Sequence, residues 1–522
     1  MIDTKALKQK ILDLAIRGKL VPQGPSDEPA SVLLERIRAE KQKNSKAKGH
    51  LESIIFLGDD NRHYEKIDGK IMDIEADIPF EVPQKWAWCR LIDVCNYIQR
   101  GKSPKYSTIK KYPVIAQKCN QWNGFHIEKA QFIDPNTVSE YNSDRLLQDG
   151  DLLWNSTGLG TLGRIVIYET KLNPYNFAVA DSHVTVIRVN KKYALSSYLY
   201  LFFSSETVQS VIEKQSDGST KQKELATTTV KNYLIPLPPT KEQERIVKKV
   251  ELLFSLINKI ESQQTDLQTL TNNIQKRVLD LAIRGKLVPQ DPNDELASVL
   301  LDRIRTEKET LIKQGKIKRD KSESSIYKGA DNCYYEKLGE KIKNIDDEIP
   351  FDIPDSWTWV RMGNIGDWGA GATPLRTNSK YFGGNILWLK TGELNNGYVY
   401  NTAEKITDLA IKECSLRLNK IGDVLIAMYG ATIGKLAIVG KELTTNQACC
   451  ACTPYNGVYN RYLFYHLLAS KDRLIYLGDG GAQSNISKEK LISFFIPLPP
   501  LAEQYQVVSA IESTFGTLNL LK

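Results

Sequence analysis

The sequence predicts an α+β fold in which two mixed α/β modules lie at opposite ends of an antiparallel two-helix coiled-coil spacer. The 12-residue segment Leu12–Gln23 recurs unchanged at Leu279–Gln290, 267 positions later in a chain of 522 residues. The pair Trp86-x-Trp88 returns as Trp357-x-Trp359, in the same order in each half. A long apolar seam separates the two halves. We therefore expect a pseudo-two-fold molecule.

The repeat is closely kept in some segments and divergent in others. Residues 10–41 match residues 277–308 at 25 of 32 positions, whereas 90–235 and 361–496 share only sparse landmarks. The landmarks are Gly101–Pro104 with Gly371–Pro374, Gly150-Asp151 with Gly422-Asp423, and Thr161–Arg164 with Thr432–Lys435. Two modules that read different targets diverge in this way on a constant frame. Drift of surface loops after duplication is the alternative.

The central segment predicts one long helix. Thr240 and Gln243 have the spacing of a capping box, and Gly285 ahead of Pro289 favours a helix end. Between them apolar residues alternate in steps of four and three, as in a coiled coil. The apolar seam residues are Ile246, Val250, Leu253, Ile257, Ile260, Leu267, Ile274, Val278 and Leu281. At about 1.5 Å per residue, about 40 residues form a rod of about 60 Å.

Both ends of the chain are expected to pair with this helix. Their seam residues repeat parts of the central seam and are Val507, Ile511, Leu518, Leu7, Ile11 and Leu14. We expect residues 501–522 and 1–18 to pack end to end, antiparallel to the central helix, in a circularly organised chain. The predicted domains are 1–20 (N-terminal part of the distal helix), 21–239 (first module with its extension), 240–285 (central helix), 286–500 (second module with its extension) and 501–522 (C-terminal part of the distal helix).

Composition indicates an ordinary globular protein of about three to four folding units, with 41% hydrophobic and 25% charged residues. The sequence contains no apolar run of the ~20 residues that a membrane span needs, and it starts with no secretory signal, so we expect a cytoplasmic protein. The eight cysteines form no disulfide pattern. The run Cys449-Cys450-Ala-Cys452 is interpreted as core rather than as a metal site.

Charge permits nucleic-acid binding without requiring it. The net charge is +8, from 70 basic and 62 acidic residues. Three local basic clusters are Lys41, Lys43, Lys46 and Lys48; Arg100, Lys102, Lys105, Lys110 and Lys111; and Lys313, Lys316, Lys318, Arg319 and Lys321. Each alone is also explained by a solvated face. A rod of about 60 Å spans about 13 to 18 base pairs, so unlike modules predict an asymmetric, split DNA site.

The motifs together resemble one protein family, the specificity subunits of type I restriction–modification systems. The block Ile235–Pro239 returns as Ile496–Pro500, and each copy is followed by Glu-Gln. The doubled Leu-Ala-Ile-Arg-Gly-Lys-Leu-Val-Pro-Gln, the Ile-Pro-Phe before each Trp-x-Trp, and Gly480–Asn485 complete the resemblance, which covers nearly the whole chain. One departure is that Leu501 stands where the first copy has Thr240, so the second helix lacks a polar cap.

The resemblance implies a DNA reader that is not itself an enzyme. Each divergent insert would be a target recognition domain that reads one half of a bipartite site, and the helices would set the gap between the halves. The near-identical segments would hold two methyltransferase (modification) subunits, which use S-adenosylmethionine and recruit ATP- and Mg-dependent restriction subunits. No cofactor or metal is expected in this chain.

The residues offer little support for chemistry of the chain's own. Asn173-Pro174-Tyr175 has one proline where an adenine methyltransferase loop needs two, and Trp368–Gly371 is not followed by a helix pattern. Gly101-Lys-Ser103 lacks the first glycine of a phosphate loop, because Asn96 stands in its place. The histidines, at positions 50, 63, 126, 183 and 466, show no metal-ligand spacing.

Base reading requires side chains that match the donors and acceptors of the major groove, and we select candidates by residue type and predicted loop position. In the first module they are Arg100, Lys102, Lys105, Tyr106, Lys118, Gln121, Trp122, Asn123, Asn155, Lys221 and Gln222. In the second they are Arg376, Lys380, Tyr381, Lys390, Thr391, Tyr429, Gln483 and Asn485. Each is as readily a phosphate contact or a plain surface residue.

Two other functions are open to a chain with this pattern. A coiled-coil scaffold that does not bind DNA explains the rod and the repeated segments, but it leaves the two polar inserts unexplained. A self-contained modification enzyme requires the methyltransferase motifs that the sequence lacks.

Overall fold

The computed structural model describes residues 1–44, 53–158, 160–216, 223–319, 324–477 and 485–521. It divides into two compact units, Met1–Gln264 and Thr265–Lys522, and the boundary falls inside one long helix. Among the residues so described, no helix is both long enough and apolar enough to cross a membrane.

The first unit is a mixture of helices and short strands. Its helices are α1 (Thr4–Ile16), α2 (Ala30–Asn44), α3 (Ser196–Phe203), α4 (Glu206–Gln209), α5 (Thr227–Lys231) and the first part of α6 (Thr240–Ile283). Its strands are β1 (Ser53–Leu57), β2 (His63–Ile67), β3 (Lys70–Asp73), β4 (Ala87–Arg90), β5 (Cys95–Arg100), β6 (Tyr106–Ser107), β7 (Pro113–Ile115), β8 (Asn120–Gln121), β9 (Gly124–Phe125), β10 (Gln131–Ile133), β11 (Leu152–Asn155), β12 (Ile165–Ile167), β13 (Val179–Ala180), β14 (Val184–Val189) and β15 (Leu234–Leu237). Short 3-10 turns lie at Glu75–Asp77, Leu91–Val94, Gln117–Cys119, Ile127–Lys129, Pro135–Glu140, Ser143–Arg145 and Thr170–Leu172.

The second unit repeats the order of the elements outside the insert, whereas the short elements within its insert differ. It contains the rest of α6 and the helices α7 (Ala297–Lys313), α8 (Asp408–Glu413), α9 (Asn460–Ala469), α10 (Lys471–Tyr476), α11 (Lys488–Ser493) and α12 (Leu501–Asn519). Its strands are β16 (Ser324–Lys328), β17 (Tyr334–Leu338), β18 (Lys341–Asn344), β19 (Thr358–Arg361), β20 (Gly366–Ala370), β21 (Phe382–Leu389), β22 (Tyr398–Val399), β23 (Glu404–Ile406), β24 (Val424–Ala427), β25 (Leu436–Val439), β26 (Leu443–Thr445), β27 (Cys449–Pro454) and β28 (Phe495–Leu498). Its 3-10 turns are Asp346–Glu348, Met362–Asn364, Ser379–Tyr381, Thr391–Glu393 and Gly430–Thr432.

The repeated tryptophans and prolines pair in two-stranded ribbons, β4 with β15 and β19 with β28. Pro236 lies opposite Trp88, and Pro497 lies opposite Trp359. A proline fits here because a two-stranded ribbon leaves one edge of each strand unpaired. The Pro236 carbonyl oxygen accepts a hydrogen bond from the Tyr198 hydroxyl at 2.8 Å. The same bond recurs in the second unit, so the doubled motifs form a shared frame.

Each unit carries two larger sheets inside the divergent insert, and the first unit has in addition the two-stranded sheet β8-β9. In the first unit the strand orders are β12-β11-β14-β5 and β13-β7-β10-β6. In the second they are β20-β27-β24-β25-β22 and β23-β21-β26. The central strands β11 and β24 are buried along their whole length, as expected for near-continuous apolar runs that are covered on both faces.

The terminal helices pack against the long helix within their own units. In the first unit Lys8 pairs with Glu261 at 3.0 Å and Gln23 donates to Glu242 at 2.5 Å, so α1 and the loop after it run antiparallel to α6. In the second unit Val507 and Ile511 of α12 share a core with Val278 of α6. The end-to-end packing of the two terminal helices stays a prediction.

Most predicted seam residues are buried or partly buried. Ile246, Val250, Ile257, Val278, Ile11, Val507, Ile511 and Leu518 are buried, and Leu253, Ile260, Ile274, Leu281 and Leu14 are partly buried. Leu7 and Leu267 differ, with exposed fractions of 38% and 37%. The predicted end near Gly285 is confirmed, because α6 ends at Ile283 and Gly285 has φ +64°, a left-handed conformation typical of helix ends.

The predicted capping box is wrong. The Gln243 side chain is fully buried, and it turns away from Thr240 into the module. Its Oε1 accepts from the Leu195 N–H at 2.9 Å and its Nε2 donates to the Pro238 carbonyl at 2.9 Å. Backbone groups that precede α3 and α6 are buried and need hydrogen-bond partners. The Gln243 side chain serves as that partner, so it does not cap the start of α6 as the sequence spacing predicts.

Candidate nucleic-acid interface

One edge of the first unit's main sheet gathers three loops. Strand β5 ends at Arg100 and β11 ends at Asn155, while β14 begins at Val184 beside both of them. Because neighbouring strands are antiparallel, the loops after β5 and β11 and the loop before β14 lie at the same end of the strands. We call this side edge 1; it comprises residues 101–105, 156–164 (of which 159 lies outside the described residues) and 181–183.

The second unit has the equivalent side, here called edge 2, which comprises residues 371–381, 428–435 and 446–448. Ala370 of β20 lies opposite Cys450 of β27, and Ala427 of β24 lies opposite Cys449. The loops therefore leave the sheet as they do at edge 1. The second sheet joins this side as well, because the Asn446 N–H donates to the Leu389 carbonyl at 2.9 Å.

A glycine lets the first loop of each edge approach the third. A Cβ atom on Gly101 would lie 2.1 Å from the Ala180 carbonyl oxygen, and one on Gly371 would lie 2.1 Å from the Thr445 carbonyl oxygen. No side chain fits at either position, since backbone atoms occupy the space. The Gly-x-Ser/Thr-Pro landmark therefore builds an edge, in agreement with the sequence-based interpretation that these segments enter the inserts as loops.

Three basic candidates of the first unit pair with carboxylates. Arg100 pairs with Glu224, Lys102 pairs with Glu140, and Lys105 pairs with Asp134 at 3.1 Å. These pairs are at or near the surface, where one ion pair contributes about 0 to 1 kcal/mol. A phosphate or a base acceptor can therefore take over such a cation at small cost.

Tyr106 and its neighbours form a polar group on edge 1. The Tyr106 hydroxyl donates to Asp181 at 3.4 Å, and the same carboxylate accepts the His183 N–H at 2.6 Å. Burial, reinforced by the Asp181 carboxylate, raises the pKa of Tyr106, so the phenol keeps its proton. The His183 side chain is 54% exposed. Asp181 and His183 were missed from sequence because only the pairing of β14 brings them to the edge.

A tight hairpin between β8 and β9 presents Trp122 and Asn123. The Trp122 ring is 56% exposed. Beside it Gln121 accepts a hydrogen bond from Arg164 at 2.7 Å, which ties the hairpin to edge 1. Lys118 is exposed in the turn that precedes β8. The four candidates between residues 118 and 123 are thus brought together at the surface.

Asn155 is a core residue in the structure. Its side chain is fully buried, its Oδ1 accepts from Asn120 at 2.9 Å, and its Nδ2 donates to the Gln117 carbonyl at 3.2 Å. An amide with both ends paired in the interior cannot reach a base, so its selection as a reader is corrected. Lys221, Gln222 and Gln483 lie outside the described residues.

Arg376 and Lys390 of the second unit share one acidic partner. Both pair with Glu404, at 2.5 Å each, and hydrogen bonds from Arg376 and then Lys390 lower the pKa of that carboxyl. The Arg376 guanidinium also lies over the rings of Phe382 and Trp388, 4.9 Å from each centroid. Arg376 is therefore held in a defined position at the surface while half of its side chain stays exposed.

The other candidates of the second unit divide by exposure. Lys380 is exposed, and the Tyr381 hydroxyl donates to Glu413 at 2.8 Å. Thr391 is nearly buried, at 9% exposure, so it is a poor position for reading DNA. Tyr429 and Asn485 form an isolated β-bridge on edge 2, at the place where Thr157 and Glu224 do so on edge 1.

Two further polar residues of edge 2 were missed from sequence. Gln447 is exposed and pairs with Thr373, and the Asn446 Oδ1 is buried without a hydrogen-bond partner among the described residues. They occupy the turn between β26 and β27, which is equivalent to 181–183. In the sequence, this turn is recognisable from the short apolar segments of β26 and β27 on either side of it.

Within the described parts of the chain, no three His, Cys, Asp or Glu side chains form a group able to hold a metal ion. Cys449, Cys450 and Cys452 lie buried in β27, where burial raises the pKa of the Cys450 thiol to about 11. Such thiols behave as core side chains.

Comparison with known proteins assigns the family. The family model described as "Type I restriction modification DNA specificity domain" matches residues 83–272 and 354–522, which together exceed half of the chain. The chain belongs to this family. It is similar to the type I restriction enzyme EcoAI specificity subunit of Escherichia coli, at 27% identity over 99% of this chain and 90% of that protein. The EcoEI specificity subunit of the same species is 28% identical over the same shares.

Solved structures show that the fold is also that of specificity subunits. One, from work on complex assembly and conformational transition of the type I R-M system, has a TM-score of 0.59 at 19% identity and covers 85% of this chain and 93% of that chain. The HsdS subunit from Thermoanaerobacter tengcongensis has a TM-score of 0.50 at 19% identity, with the same coverage. The predicted α+β class and the resemblance are confirmed.

Family membership decides between the functions left open by the sequence. The chain is a specificity subunit that recognises DNA sequence, and it is not an enzyme. The scaffold that never binds DNA is not supported. The two matched stretches contain edge 1 and edge 2, so the DNA specificity model covers the loops described above.

Proposed function

We propose that each unit reads one half of a bipartite, asymmetric DNA site through its edge. One observation carries this proposal: the two edges share a backbone frame but present different chemistry. Asp181 and His183 on edge 1 stand where Asn446 and Ala448 stand on edge 2. A surface that serves only folding has no need for such a change on an unchanged frame.

The chemistry of each edge fits base recognition. Edge 1 presents arginine, lysine and histidine side chains, whereas edge 2 adds the amides of Asn446 and Gln447, with the exposed Asn485 beside them. Arginine pairs best with guanine, and amides pair best with adenine. The remaining basic candidates, such as Lys118 and Lys380, suit phosphate contacts that set position without reading sequence.

The rest of the chain supports the reading units in this proposal. Residues 240–285, with 1–20 and 501–522, form the spacer that sets the gap, and the two recognition domains with their extensions occupy 21–239 and 286–500. Two methyltransferase subunits dock on the repeated frame and supply S-adenosylmethionine chemistry. Restriction subunits that use ATP and Mg join through them, and the complex works in the cytoplasm.

The test maps methylated adenines across the genome of a cell that carries this chain together with its methyltransferase and restriction subunits. Deletion of this chain is expected to abolish methylation at one split motif. His183→Ala is expected to relax or change only one half of that motif, and Gln447→Ala only the other half. Both residues are exposed, so neither change removes a core contact.

Lys341→Gln, at an exposed position away from both edges, serves as the control and is expected to leave the whole motif unchanged. The proposal fails if methylation does not depend on this chain. The assignment of the edges fails if both edge variants keep both halves of the motif at unchanged affinity.

A further inference from the structure

Each unit contains a three-stranded meander ahead of its divergent insert. Strands β1, β2 and β3 pair in order, and β16, β17 and β18 pair in the same register. A buried ion pair fastens each meander to the frame. Arg90 binds Glu65 at 2.5 Å in the first unit, and Arg361 binds Glu336 at 2.7 Å in the second.

The buried glutamates define an inner face, so the strand residues of opposite parity form an outer face. In the first unit the outer-face residues are Ile54, Phe56, Tyr64, Lys66, Ile71 and Asp73; in the second they are Ser325, Tyr327, Tyr335, Lys337, Ile342 and Asn344. The aromatic pairs stack alike, with ring centroids 6.0 Å apart for Phe56–Tyr64 and 5.9 Å apart for Tyr327–Tyr335.

Three of the six outer-face positions carry the same residue in both units: Tyr64 and Tyr335, Lys66 and Lys337, and Ile71 and Ile342. Ile71 is 60% exposed and Ile342 is 59% exposed, yet the residue is the same. Folding does not explain this, since an isoleucine that stays in water contributes little burial. By contrast, two exposed apolar residues on the same face as the buried glutamate differ between the units. Lysines stand in the second unit at the positions equivalent to Leu57 and Met72.

Charge indicates what lies against this face. Lys66 and Lys337 occupy equivalent exposed positions beside the retained isoleucines. Among the residues that the structure describes, neither lysine has a carboxylate within ion-pair distance. A partner that presents an apolar side chain flanked by an acidic group therefore complements the face.

We propose that the outer faces of the two meanders bind two copies of one protein partner, the modification subunit, one copy on each unit. A face that repeats a stacked aromatic pair, a lysine and an isoleucine at equivalent positions fits one partner surface twice, whereas the divergent edges do not. This inference rests on the proposed function, and it adds to it the surface that the partner occupies.

The test counts modification subunits bound to the full chain by native mass spectrometry and measures their affinity. The wild-type chain is expected to bind two. Lys66→Glu with Ile71→Ser is expected to raise Kd about tenfold or more for one of the two subunits, and adding Lys337→Glu with Ile342→Ser is expected to do so for both.

The matched control is Leu57→Lys with Met72→Lys, which installs the residues that the second unit already carries at equivalent positions. It is expected to leave both affinities unchanged. If the wild-type chain binds no modification subunit, the proposed function fails. If it binds two and the outer-face variants also bind two at unchanged affinity, the meander inference alone is overturned. Loss of DNA binding by the outer-face variants in the absence of modification subunits also overturns it.

Discussion

Glu336 and Arg361 show how a single residue pair holds a repeated element in place. The two side chains form a bidentate contact, at 2.9 Å and 2.7 Å, and Glu336 is nearly buried. Glu65 and Arg90 repeat the contact in the first unit. The sequence alone does not predict an ion pair between two residues 25 positions apart, because a carboxylate in a strand is normally expected at the surface.

Glu336→Gln is expected to lower the free energy of unfolding at about pH 7 and to flatten its dependence on acid. Hydrogen bonds from Arg361 hold the pKa of Glu336 below its ordinary value of 4.5, while burial acts in the opposite direction. A lowered carboxyl pKa contributes stability above the unfolded-state pKa, and this stability is lost as the pH falls through the folded-state value. Urea denaturation from about pH 7 to about pH 3 measures the difference.

Glu340→Gln, at an exposed position of the same meander, is the control and is expected to leave the curve unchanged. Parallel pH curves for the wild type and Glu336→Gln would contradict the assigned role of the ion pair.

At the scale of elements, buried glutamines anchor the starts of the long helices. The Gln504 Oε1 accepts from the Tyr459 N–H at 2.7 Å, and its Nε2 donates to the carbonyls of Gly457 and Pro499. Gln243 makes the equivalent contacts at the start of α6. Helix α12 thus begins at Leu501 without a side-chain cap, because tertiary contacts replace it. The departure noted in the sequence, the missing polar cap, therefore does not displace the helix start.

Gln504→Ala is expected to destabilise the second unit by about 1 to 3 kcal/mol, because three buried or partly buried backbone groups lose their partner. Thermal unfolding, followed by circular dichroism, measures the change. Gln506→Ala is the matched control, since Gln506 is exposed in the same helix. Equal melting temperatures for the two variants would show that the glutamine is not an anchor.

At the scale of the whole molecule, the proposed function makes α6 the element that sets the gap between half-sites. Insertion of seven residues at the boundary between Gln264 and Thr265 keeps the heptad phase. At about 1.5 Å per residue against about 3.4 Å per base pair, the insertion is expected to lengthen the gap by about three base pairs. Genome-wide mapping of methylated adenines measures the gap directly.

The matched control places the same seven residues in the loop that follows Pro289, before α7. That insertion is expected to leave the gap unchanged. An unchanged gap after the α6 insertion, with methylation retained, would contradict the role of the helix as a spacer.

The sequence by itself determined the duplication, the long helix with its end, the family and the sequence-recognition role. These features rest on local patterns: an exact repeat, a heptad seam and motifs in fixed order. Several predicted readers, among them Arg100, Lys102 and Arg376, lie at the edges for the same reason, since each adjoins the Gly-x-Ser/Thr-Pro landmark that starts an edge loop.

Only the tertiary structure decided which polar residues are available. Asn155 and Thr391 look like loop amide and hydroxyl readers in sequence, yet strand pairing and packing place them inside. His183 and Gln447 lie exposed at the edges because β14 and β27 pair with strands that are distant in the chain, whereas Asp181, two residues before His183, is buried. Burial and non-local pairing depend on the whole fold, so residue type and spacing do not reveal them.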